Sequence, residues 1–119
     1  MRLKVHSIEN RGKLEKETLW LDVLEPIGNL SYTLVAITSL ADRQHISTEI
    51  QRTFWFPSVS VEAGDWIALC SGAGAAKTRE NDRETTTHLF YWNLKTAIWT
   101  SSNLCAVVFD LESWHTHRF

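Results

Sequence analysis

Residues 56–82 read FPSVSVEAGDWIALCSGAGAAKTREND, and the way this stretch changes along its length decides the fold. Pro57 closes an aromatic run, because proline has no N–H to give a strand ladder. Val59 and Val61 alternate with serines, and Glu62-Ala63-Gly64-Asp65 carries the composition of a tight turn. Then DWIALC sets Trp66, Ala68 and Cys70 against Ile67 and Leu69. That alternation is period two, the signature of an extended strand rather than a helix. After Cys70 the side chains shrink to Ser-Gly-Ala-Gly-Ala-Ala and end in the charged run Lys77 to Glu84. A P-loop needs Gly-x4-Gly-Lys-Ser/Thr, and a dinucleotide loop needs Gly-x-Gly-x-x-Gly. Here Gly72 and Gly74 stand two apart and the third dinucleotide position is Lys77, so neither is met. The expected structure over roughly 72–87 is therefore a strand exit followed by a flexible, solvated excursion, with the small residues permitting unusual backbone angles.

The same period holds on both sides. Leu3, Val5 and Ser7 alternate with Arg2, Lys4 and His6. In ETLWLDVLE, Leu19, Leu21 and Val23 share one face, with Thr18, Trp20 and Asp22 on the other. SYTLVAITSL (31–40) is apolar on both faces, as a central strand would be. Residues 45–56 predict one bent strand or two short ones. HLFYWN (88–93), TAIWT (96–100), NLCAVVFD (103–110) and SWHTHRF (113–119) complete the set. A single helical turn near 83–88 is the only helical candidate, and Thr85, Thr86 and Thr87 are poor helix formers. The sum is about eight to ten short, mostly antiparallel strands with turn signals every 8–12 residues or so. That is the pattern of an all-β sandwich or barrel, formed by one domain over 1–119.

Composition supports a globular chain: 119 residues, 44% hydrophobic and 22% charged. Lysine plus arginine total 12 and aspartate plus glutamate 14, a formal charge of −2. No global field draws the chain to nucleic acid or an anionic membrane. No run reaches the roughly 20 apolar residues of a membrane helix, and MRLKVHSIENRGK lacks the apolar core of an export signal. The expectation is a cytoplasmic protein, with Cys70 and Cys105 as buried free thiols in a reducing compartment.

Chemistry-bearing residues are sparse. The six tryptophans suit sheet packing, although exposed ones could stack on sugars or bases. Within the excursion, Lys77, Arg79 and Arg83, with Trp92 and Trp99 downstream, form the candidate contact site. Glu80, Asp82 and Glu84 oppose them, against nucleic-acid binding. His115 and His117 stand two apart, hence on one face of a strand, and with His6, His88 or Asp110 could serve a metal-dependent hydrolase. The preferred reading is a polar strand end, with no metal and no cofactor. Cys70 and Cys105 sit in apolar contexts, whereas a catalytic thiol needs an electropositive one.

The segment that opened the reading also resembles the corner of the lamin tail domain. In that family an apolar-Pro strand end leads to a Gly turn, an apolar strand and a small-residue exit. The matching residues are Phe56, Pro57, Ala63, Gly64, Ile67, Leu69, Ser71, Gly72, Ala73 and Gly74. ETLWLDVLEPIGN with LSYTLVAIT, and FYWN with SSNLCAVVFD, resemble the family's flanking strands. The resemblance implies an immunoglobulin-like sandwich acting as a non-catalytic interaction module. It would bind a protein partner or itself, as a homodimer through an edge strand or an exposed aromatic face. It transfers no catalytic residues.

Overall fold

Trp66–Cys70, the alternating heart of the quoted segment, forms the central strand of a five-stranded sheet. The computed structural model describes every residue from Met1 to Phe119. Its strands are β1 (Leu3–Glu9), β2 (Thr18–Val23), β3 (Thr33–Ser39), β4 (Arg52–Trp55), β5 (Trp66–Cys70), β6 (Lys77–Glu80), β7 (Thr86–Tyr91) and β8 (Leu104–Asp110). The only helical piece is a 3-10 turn, Leu30–Tyr32, capped by the Asn29 side chain accepting from Ser31 N–H. One sheet runs β1-β2-β5-β7-β6 and the other β4-β3-β8. The protein is all-β.

The inward faces follow from the registers. Leu19 pairs with Leu69 and Leu21 with Ile67 across β2 and β5, and all four side chains are buried. From the second sheet, Val35 and Ile37 join them in one core with Val23, Phe56, Phe90 and Trp99. Two sheets thus share one apolar layer, as in a β-sandwich. A two-pronged ion pair ties them at one corner. Arg2 Nε and Nη2 reach Asp110 Oδ2 and Oδ1 at 3.0 and 2.5 Å, joining the start of β1 to the end of β8.

Several expectations require correction. In β1, the register slips between Val5 and Ser7, so that Ile8, not Ser7, stands opposite Leu19. The bulge leaves His6 without a partner in the ladder. Residues 45–51 are not a strand; only a Leu40–Ile46 bridge precedes β4. Val61 makes a single bridge to Ile27. Neither 96–100 nor 113–119 forms a strand, and no helical turn occupies 83–88.

The largest correction concerns 72–87. The second half of this stretch is an edge hairpin, with β6 antiparallel to β7 from Lys77↔Leu89 to Glu80↔Thr86. Its turn is held by Asn81, whose Oδ1 accepts from the N–H groups of Arg83 and Thr85 and whose Nδ2 donates to Thr87 Oγ1. Threonine-rich β7 suits a strand, and it pairs with β5 in parallel, the one parallel pairing among six. The small residues serve close approach rather than unusual angles: neither Gly72 nor Gly74 has a positive φ. A Cβ on Gly74 would lie 2.5 Å from the Tyr91 ring, and one on Gly72 would lie 3.0 Å from the Leu14 carbonyl.

Glu17 is fully buried. Its Oε1 accepts from Ile98 N–H at 2.7 Å and its Oε2 from Gly12 N–H at 3.0 Å. Because carboxylate–amide bonds of this kind are strong, Glu17 pins the irregular 96–100 segment beside β2. That anchoring delivers Trp99 into the core. We predict that Glu17→Ala lowers unfolding free energy by about 2 kcal/mol, since the half-buried Ile98 amide and the Gly12 amide lose a charged acceptor. Urea denaturation followed by tryptophan emission would measure it, and a change within error would contradict the pinning role.

Candidate functional site

The registers place an aromatic pair on the outer face of the five-stranded sheet. Trp66 pairs with Asp22 on one side and Thr87 on the other, and Arg79 continues the row from β6. Trp20 sits diagonally from Trp66, opposite Ala68. Diagonal neighbours of this size touch: the indole centroids are 6.1 Å apart at 85°. The bulge in β1 brings in His6, whose ring lies 4.8 Å from Trp66, edge on. From the hairpin turn, Arg83 lays its guanidinium carbon 4.4 Å over the Trp66 ring. The cation is attracted by the negative ring face. Arg83 also donates to the Gly64 carbonyl and stands 3.8 Å from the Asp22 carboxylate. Together these side chains, with Glu9, Asn81, Asp82 and Thr87, bound a groove of about 370 Å3.

Next to Trp66 in the chain stands Asp65, a buried carboxylate at the start of β5. Its Oδ2 accepts from Glu62 N–H at 2.9 Å and meets His88 Nε2 at 2.8 Å, while Oδ1 accepts from Thr86 N–H at 3.1 Å. Burial pushes the Asp65 pKa upward. The Glu62 amide, His88 and the Thr86 amide more than offset that and hold it below the ordinary range. The two-stage turn Glu62–Asp65 needs Gly64, whose φ is 89°. The cluster therefore locks the start of β5 to the start of β7 and presents the Gly64 carbonyl to Arg83. No hydroxyl or thiol bonds to His88, so the His88–Asp65 pair has the orientation half of a triad without a nucleophile.

A second aromatic surface lies on the outer face of the three-stranded sheet. Leu34 pairs with Trp55 and with Phe109, and Ala36 with Val107. Trp55 is 54% exposed, Trp114 44% and Phe109 36%. The Trp55 and Trp114 rings meet edge to face at 5.0 Å. Both indole N–H groups donate to the same Ser31 carbonyl, at 2.7 and 3.0 Å. Their polar atoms are thereby satisfied internally, and what faces outward is hydrocarbon.

The candidate site residues read from the sequence divide between these places. Arg79 and Arg83 converge on the groove; Lys77 lies two residues along the same strand face, outside it. Trp99 is 1% exposed and belongs to the core. Trp92 is half-buried against Phe54, centroids 5.7 Å apart. Neither is a stacking platform, because both turn toward the inter-sheet layer. The indoles at the groove are instead Trp20 and Trp66, whose strand positions opposite Leu19, Leu21, Ile67 and Leu69 already implied an outward face. His115 and His117 lie in an exposed irregular tail, and nowhere do three or more His, Cys, Asp or Glu side chains converge as a metal would need. Cys70 and Cys105 are half-buried free thiols in different sheets, less buried than expected. Burial raises the Cys70 pKa, opposite to the shift that activates a nucleophile. No helix is long and apolar enough to cross a membrane.

No protein-family model, curated protein or solved structure matches the chain.

Asp65 and Asp110 give the fold a defined acid response. The Arg2 hydrogen bond holds Asp110 low, as the amides and His88 hold Asp65. A carboxyl depressed only in the folded state stabilises fully above its unfolded pKa, about 3.9, and loses that contribution as pH falls toward the folded value. We predict a steep fall in urea midpoint below about pH 4. Asp65→Asn should be less stable at neutral pH and show a shallower acid limb; an unchanged limb would remove Asp65 from this account.

Proposed function

We propose that this chain is a non-catalytic interaction module that associates with a second copy of itself through the outer face of the three-stranded sheet. The observation that carries this reading is the Trp55–Trp114–Phe109 surface, with its indole N–H groups already consumed by Ser31. A sheet in a two-layer protein needs one apolar face; β3 has two, Val35 and Ile37 inside and Leu34 and Ala36 outside. A contiguous apolar patch with no unmet hydrogen bonds gains by shedding water against a matching surface. A copy of the same sheet supplies that match with two-fold symmetry, each patch covering the other.

We further read the sandwich as immunoglobulin-like and of the lamin tail type. In support, the orders β1-β2-β5 and β4-β3-β8 correspond to strands A-B-E and C′-C-F of that fold. On this reading the β6–β7 hairpin is an insertion between E and F. The groove's carboxylates beside its arginines continue to speak against nucleic acid as the partner.

The test is mass measured by light scattering during size exclusion across a concentration series. We expect mass to rise toward twice that of the chain, and the double variant Trp55→Ser/Phe109→Ser to remain monomeric with unchanged circular dichroism. A wild-type monomer into the millimolar range, or a variant that associates equally well, would overturn the proposal.

A further inference from the structure

We infer that the groove over Trp20 and Trp66 binds a neutral carbohydrate, one or two sugar rings in size. This stands apart from self-association, since the groove lies on the opposite sheet. Its volume of about 370 Å3 falls within the roughly 300–1,000 Å3 of small-ligand sites. The sheet face carrying it also holds Ala68, Cys70 and Leu89, and the two indoles contribute nothing to the inter-sheet core.

The charges around the indoles select the ligand class. Arg83 is partnered by Asp22 and the Gly64 carbonyl. Arg79 has no hydrogen-bond or ion-pair partner, and it faces Glu9 and Asp82 around the same groove. Two arginines thus stand among three carboxylates, Asp22, Glu9 and Asp82, which removes the excess positive charge that phosphate binding requires. A cationic ligand is disfavoured as well, because Arg83 already lies against the Trp66 ring. What remains is a rim holding pure donors (Arg79) and pure acceptors (Glu9, Asp82) within one groove. A hydroxyl gives and accepts at once, so a ring edged with hydroxyls satisfies both kinds. The C–H face of such a ring is apolar and carries slight positive charge, complementary to the negative face of Trp20, over which no cation lies. The rim is also prebuilt: Asn81 fixes the hairpin turn and Arg83 is held from two sides. Little ordering is left to be done when a ligand arrives.

The experiment is titration of the full chain with maltose, cellobiose and N,N′-diacetylchitobiose, read by tryptophan emission and calorimetry. AMP and choline serve as anionic and cationic controls, alongside a neutral-glycan array. At least one neutral saccharide should bind with a dissociation constant in the millimolar range or below. Arg79→Ala, on an exposed edge-strand position, should weaken it about tenfold, equivalent to one lost interaction. Trp20→Ala should abolish it, and Trp20→Phe, which keeps a ring and guards against misfolding, should retain part of it. No saccharide binding on the array or in solution overturns the inference. So does binding of AMP or choline in place of sugars, or a sugar affinity untouched by Arg79→Ala and Trp20→Ala.

Discussion

A parallel strand pair inside an otherwise antiparallel sheet has to be fixed at the point where the chain returns, and here Asp65 does that. Its carboxylate takes the amide of Thr86 at the mouth of β7 and the ring of His88 one turn of the pleat further on. With those bonds made, β7 lies beside β5 and β6 is carried to the sheet's rim. The hairpin turn then hangs over Trp66, and Arg83 finds both the ring and the Gly64 carbonyl. Without that clamp, a buried anion would remain next to unpaired amides, a costly arrangement. The same few atoms therefore organise the sheet order and the only aromatic groove on that face.

Glu17 plays a parallel role at the opposite end of β2. The segment 96–100 has no ladder to hold it, so two amides on one carboxylate hold it instead. Trp99 can be a core residue only because of this anchoring. Both acids sit at strand starts, where backbone N–H groups would otherwise lack partners.

Much of this was legible before any coordinates. The alternation in 66–70 and 18–23 identified both strands and the inner set of Leu19, Leu21, Ile67 and Leu69, because burial on one face imposes period two. The strand 31–40 was visible as apolar on both sides, yet that very feature also marked an outer surface left uncovered. Of the hairpin, the strand at 88–93 shows in the sequence, but its partner Lys77–Glu80 does not, because all four residues face water and an exposed edge strand has no apolar period to show. The segment 96–100 looked like a strand from composition alone; its irregular path depends on a glutamate some eighty positions away, which no local window contains. The pairing of Arg79 and Arg83 with Trp20 and Trp66, rather than Trp92 and Trp99, likewise follows from strand order, which short-range pattern does not encode.

The rim strand β6 has a consequence for assembly. All four of its residues, Lys77 to Glu80, are exposed, and none is aliphatic. Open strand borders invite endless addition of further chains, and charge along them is how proteins stop it. A copy added in parallel register would set lysine on lysine and arginine on arginine. Charge along this border works against fibril growth, whatever the rest of the surface attracts.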